Sequence, residues 1–189
     1  MINSALNFIL AQLNAWFAAS ASSQESVVVL TSLSNPDGSV PQNIDNKLVL
    51  SLVNIEKETA MGTTGLVPRT GPAYARSNPT LYLNLYVLVS ASFNNYSTGL
   101  TLLGQAIGFF QSKPAFDAQN SVTFPPGFDK LSMELVSLSM AELSTLWAVL
   151  GANYLPSVVY KMRMATVQKD WISEPIPAVS QATTDMGGG

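Results

Sequence analysis

Residues 80–90 read TLYLNLYVLVS, with Leu81, Leu83, Leu85, Val87 and Val89 alternating with Tyr82, Asn84, Tyr86 and Leu88. Alternation with a period of two is the mark of a β-strand. One side is wholly aliphatic, and the other is amphipathic and uncharged. A strand with no charge on either side sits at the centre of a sheet covered on both faces. The run therefore predicts a layered fold, with residues 80–90 as its middle strand.

The rest of the chain supplies the layers. Ile2, Leu6, Ile9, Leu10, Leu13 and Phe17 fall on one side of a 3.6-residue repeat, which predicts an opening amphipathic helix. Residues 27–33 read as a short buried strand closed by the turn Asn35, Pro36, Asp37, Gly38. Residues 47–58 form a second long strand, in which Leu48, Leu50 and Leu52 alternate with Val49, Ser51 and Val53 before a charged end. Residues 94–111 read as a helix apolar nearly all round, with Gly104 and Gly108 four apart; their cost in a helix predicts close approach to a neighbouring element. Leu131, Met133 and Leu135 mark another strand. Ser139 and Glu142 spell a capping box, Leu143, Leu146, Trp147 and Leu150 follow, and Gly151 stands where a left-handed C-cap belongs. Residues 156–167 form the last strand, with Val158, Tyr160, Met162 and Met164 on one side. The pattern predicts an α+β fold: a mixed, mainly antiparallel sheet of about five strands flanked by three main helices. One domain over residues 1–168 and a flexible C-terminal tail over 169–189 complete the expectation.

Charge enters at this point. Only 11% of the 189 residues are charged, against about 25% in ordinary soluble domains. Such a surface suits contact with other protein. The net charge of −3 argues against nucleic acid as a partner. No run approaches the roughly 20 apolar residues of a membrane span, and the N-terminus lacks the basic segment of a secretory signal.

Chemistry is sparse. There is no His and no Cys, which removes the commonest general base, the Ser–His–Asp triad, thiolate chemistry and the usual zinc ligands. No phosphate-binding or nucleophile-elbow motif occurs, so no catalytic residue, metal or cofactor is expected. Glu56, Glu58, Asp129 and Glu134 are the carboxylates best placed for acid–base work, yet nothing in their spacing brings them together, and they read as solvating charges at strand ends. A carboxylate-based hydrolase would need Glu56, Asp129 or Glu134 to meet in one cleft; a ligand-binding module would need a closed pocket. Lys161 and Arg163 share one face of the last strand, where they either meet acidic groups such as Glu56 or Glu58, of this or another subunit, or face solvent. Arg69 and Arg76 stand in the Gly- and Pro-rich loop 59–79, suited to an anionic contact or to water. Glu56, Glu58, Arg69, Arg76, Lys161 and Arg163 are thus the candidate interface residues.

An ordered set of motifs gives a resemblance. It comprises NLY (84–86), FFQ (109–111), WAVLGANYLPS (147–157) and YKMR (160–163), together with the opening helix, LVLSLVNIEKE (48–58) and KLSMELVSLSMAELSTLW (130–147). Over residues 1–168 the chain resembles the N-terminal domain of the cap, or tail-terminator, proteins of extracellular contractile injection systems, the phage tail-like particles of the antifeeding-prophage and Photorhabdus virulence-cassette type. The resemblance implies a structural role and no enzymatic activity. Copies would form a ring, a hexamer, on the baseplate-distal end of the inner tube and contractile sheath, stopping polymerisation and holding the two together. The implied partners are further copies of the chain, the inner tube protein and the sheath protein, without membrane insertion. Assembly would take place in the bacterial cytoplasm, within a particle that can be released. An adaptor at the baseplate or tube of the same particle is the alternative. Loop 59–79 has no counterpart in the family pattern, and residues 169–189 read as a tail instead of the further C-terminal region that some members carry.

Overall fold

The computed structural model describes residues 1–21, 26–58 and 82–166. The elements run α1 (Ile2–Ala21), β1 (Val28–Leu30), β2 (Lys47–Lys57), β3 (Tyr82–Ser92), α2 (Tyr96–Ser112), β4 (Ala115–Phe116), β5 (Phe128–Val136), α3 (Met140–Leu150) and β6 (Ser157–Thr166), with a short 3₁₀ turn at Gln42–Ile44. The sheet has six strands in the order β1-β2-β3-β6-β5-β4. β1 runs parallel to β2, and every other pairing is antiparallel. The α+β class is as expected. The strand beyond the expected five is β4, a two-residue pairing of Ala115 and Phe116 with β5. β1 is also shorter than residues 27–33: beyond Leu30 the edge is continued by Thr31 alone, whose N–H donates to the Leu50 carbonyl at 3.1 Å.

β3 lies between β2 and β6, as its uncharged faces require. Leu85, Val87 and Val89 pack with Ile9, Leu13 and Phe17 of α1 and with Leu103, Ala106 and Phe110 of α2 in the main core. Tyr160, Met162 and Met164 of β6 and Leu131 and Met133 of β5 extend that core across the sheet. Phe8 meets Phe116 and Phe124 edge to face at 5.6 and 5.4 Å, so the short β4 is fixed by an aromatic cluster more than by its own hydrogen bonds. Tyr160 lies against Phe110 at 4.7 Å, and burial pushes its phenol up to about 12.

A second, smaller core lies on the opposite face, where Val49, Leu88 and Val159 are covered by Trp147 of α3. The capping box of α3 is complete. The Ser139 N–H donates to Glu142 Oε2 at 2.8 Å, and the Glu142 N–H donates to Ser139 Oγ at 3.3 Å. Gly151 ends the helix at φ 62°, the left-handed region that a side chain disfavours.

Three local expectations are corrected. A Cβ built on Gly104 or Gly108 meets nothing within 4 Å among the described residues, so these glycines make no close packing with any of them. Gly99 holds that role instead: a Cβ there would lie 3.2 Å from the Cβ of Phe93. Nor is α2 apolar all round, because its inward positions are Gly99, Leu103, Ala106, Phe109 and Phe110, and the polar residues lie outside. Leu135, read with Leu131 and Met133, is half exposed.

Candidate functional site

α3 covers only half of its sheet face. Its Trp147 and half-buried leucines lie over Val49, Leu88 and Val159, and the rows nearer the start of β3 change to polar residues. In one row Asn54, Tyr86, Lys161 and Glu134 stand in register across β2, β3, β6 and β5. In the next, Glu56, Asn84, Arg163 and Ser132 do the same.

A β-bulge creates this band. The β2–β3 register shifts between Leu52 and Asn54. One extra residue reverses which face the rest of the strand presents. Without it Glu56 would lie on the α1/α2 side; with it Glu56 stands beside Asn84, on the same face as Tyr86. The Tyr86 hydroxyl donates to Glu56 Oε2 at 2.9 Å, Asn54 Nδ2 to Glu56 Oε1 at 3.2 Å, and Asn84 Nδ2 to Glu58 Oε2 at 3.0 Å. The bond to Glu56 raises the Tyr86 phenol, and partial burial adds to the shift.

Arg163 lies between two carboxylates, its Nε 3.9 Å from Glu58 and its Nη2 3.3 Å from Glu134. Its side chain is 53% exposed, so each contact contributes at most about 1 kcal/mol and orients the guanidinium more than it stabilises the fold. Asn84 is buried, and its Oδ1 has no hydrogen-bond partner among the described residues. An open groove of about 450 Å³ runs alongside, lined by Glu58, Asn84, Lys130, Ser132 and Arg163 among others.

Of the candidate interface residues, Glu56, Glu58, Lys161 and Arg163 are thus brought onto one half-face. Arg69 and Arg76, with all of residues 59–79, lie outside the described residues. The expectation that the carboxylates stay apart is corrected in part, since Arg163 draws Glu58 and Glu134 together across four strands. Asp129 stays out of the group, at an irregularity of β5 between Phe128 and Lys130. The guanidinium occupies the space between Glu58 and Glu134 that a hydrolase would leave for the scissile bond. Among the described residues no group of three or more His, Cys, Asp or Glu could hold a metal ion. No helix among them is long and apolar enough to cross a membrane. Sequence reasoning passed over Asn84, Tyr86 and Glu134 as parts of the band. The alternation of Tyr82, Asn84 and Tyr86 was the available signal, but the strand register that sets them beside Glu56 and Arg163 was not.

Uncharged helices thus lie on one face of the sheet and a mixed-charge band on the other. The chain belongs to the family of the Pvc16 N-terminal domain, whose model matches residues 5–181. Among the solved structures that share its fold are two caps or terminators. One, described as the anti-feeding prophage cap (AFP tube terminating cap), has a TM-score of 0.57 and 14% identity, over 97% of this chain and 60% of that one. The other is the PVC sheath/tube terminator of an extracellular contractile injection system in its extended state, with a TM-score of 0.50 and 12% identity, over 98% of this chain and 63% of that one. The chain therefore spans about three fifths of the length of the structures it matches. No curated protein matches it.

Proposed function

We propose that the chain is a structural cap subunit. Six copies form a ring on the baseplate-distal end of the inner tube and contractile sheath, end their polymerisation and hold them together. The observation that carries this reading is the fold shared with a tube-terminating cap over 97% of the chain. Membership of the Pvc16 N-terminal domain family supports it. So does the shortage of charge, since a subunit enclosed by other subunits needs few solvating groups.

In this reading the polar band is the contact surface toward tube or sheath. Glu56, Glu58, Lys161 and Arg163 present both signs of charge there, and Arg69 and Arg76 complete the proposed set of interface residues. Mixed-sign surfaces fix register and exclude wrong partners more than they add affinity. The protein acts without catalysis, cofactor, nucleic acid or membrane insertion. Its assembly takes place in the bacterial cytoplasm, before release of the particle, and residues 1–168 form the assembling domain with 169–189 as its tail.

The test is position. Gold-labelled copies in purified particles should appear by electron microscopy at the end opposite the baseplate. Label at the baseplate end would replace the cap with an adaptor.

A further inference from the structure

Four buried side-chain polar atoms have no hydrogen-bond partner among the described residues: Asn84 Oδ1, Ser90 Oγ, Trp147 Nε1 and Ser157 Oγ. Three of these come together beneath α3. Ser90 and Ser157 stand directly opposite each other across β3 and β6, and Val49 flanks Ser90 on β2. Leu88 and Val159 form the next pair on the same side of the sheet. Trp147 packs with Val49, Leu88 and Val159, so its indole lies over the corner that the two serines occupy. Ser90 is fully buried, and Trp147 is 5% exposed.

A buried N–H or O–H without a partner forfeits the hydrogen bonds it makes in water. Three in one place call for a shared partner. The indole only donates, whereas each hydroxyl donates and accepts. Opposite residues on paired strands have Cβ atoms about 4.5–5.5 Å apart, close enough for one small molecule to reach both hydroxyls. We propose that a single buried water sits under Trp147, accepting from Nε1–H and donating to Ser90 Oγ and Ser157 Oγ. Three bonds are the usual complement of an internal water. Its way in is an open cleft of about 270 Å³ that begins at Ser92, the next residue along that side of β3, and runs past Leu33, Ile44, Gly151 and Leu155. No charged residue lines the cleft, so an ion there would be uncompensated. Among the described residues no direct hydrogen bond joins α3 to a strand; its bonds are those of its caps and of Thr145 to the Ala141 carbonyl. The water is therefore the polar tie that fixes the indole, and with it α3, on an otherwise apolar seat.

The sign of one substitution separates a wet seat from a dry one. In a dry seat Ser90→Ala removes a hydroxyl that has no partner, and Tm stays level or rises. With the water present the same change removes one of its acceptors, and Tm should fall by about 2–4 °C. Ser157→Ala should act alike, and the double variant should depart from the sum of the two, because both act through one molecule. A level or raised Tm in the single variants, or strict additivity, overturns the water. A crystal structure of the unaltered protein gives a second reading that no folding defect can obscure. It should show one ordered water within about 3.2 Å of Trp147 Nε1 and of both serine hydroxyls. A dry contact there, or a direct bond between Ser90 and Ser157, overturns the proposal.

Discussion

Asn14 shows how much a single side chain decides in this fold. It interrupts the apolar stripe of α1, yet it is half buried, with both ends of its amide engaged. Asn14 Nδ2 donates to the Val28 carbonyl at 2.9 Å, and the Val28 N–H donates to Asn14 Oδ1 at 3.0 Å. The side chain thus pairs with the edge strand as another strand would, and joins α1 to the sheet where β1 would otherwise be open. Asn14→Leu adds apolar surface but leaves a peptide donor and acceptor of Val28 without partners, a cost of about 1–3 kcal/mol. Denaturant unfolding should show a loss of that size; an unchanged midpoint would mean that water replaces the amide at no cost. A polar residue inside an apolar stripe is visible in sequence, but its partner, 14 residues away on another element, is not. The band shares this limit, since Arg163 and Glu58 are separated by the whole of β3 and α2 and by β4, β5 and α3.

Among the elements, α3 is where local sequence decided most. Ser139, Glu142 and Gly151 fix its start and stop through bonds within a few residues, so its boundaries could be read without tertiary information. β3 was legible for another reason, because two covered faces leave an aliphatic alternation that no helix reproduces. The orientation of Gly104 and Gly108, the two residues of β4 and the bulge after Leu52 were not legible, since each depends on what packs against the segment. The capping box also makes α3 sensitive to acid. The Ser139 backbone N–H, and then its hydroxyl, hold the Glu142 carboxyl below its ordinary 4.5. A lowered folded value means that the cap's contribution is complete above about 4.5 and disappears as pH falls through the folded value. Hydrogen-exchange protection of the α3 amides should therefore drop across that acid range, and Glu142→Gln should abolish the pH dependence. The same acid dependence in the variant would assign it to another group.

At the scale of the molecule, the distribution of charge separates the two sides of the sheet. The α1/α2 side has none on its helices, whereas the other gathers Glu56, Glu58, Glu134, Lys161 and Arg163 within a few strand positions. The two sides of the sheet thus offer a neighbour different chemistry, uncharged helices on one and paired charges on the other. The charge fraction of 11% was legible from composition alone, but its segregation required the fold. Termination of growth is the central claim, and length is its direct measure. In particles assembled without this protein, electron microscopy should find tubes and sheaths of broad, irregular length, and restoring the protein should return one narrow length. A narrow, unchanged length distribution in its absence would contradict the cap.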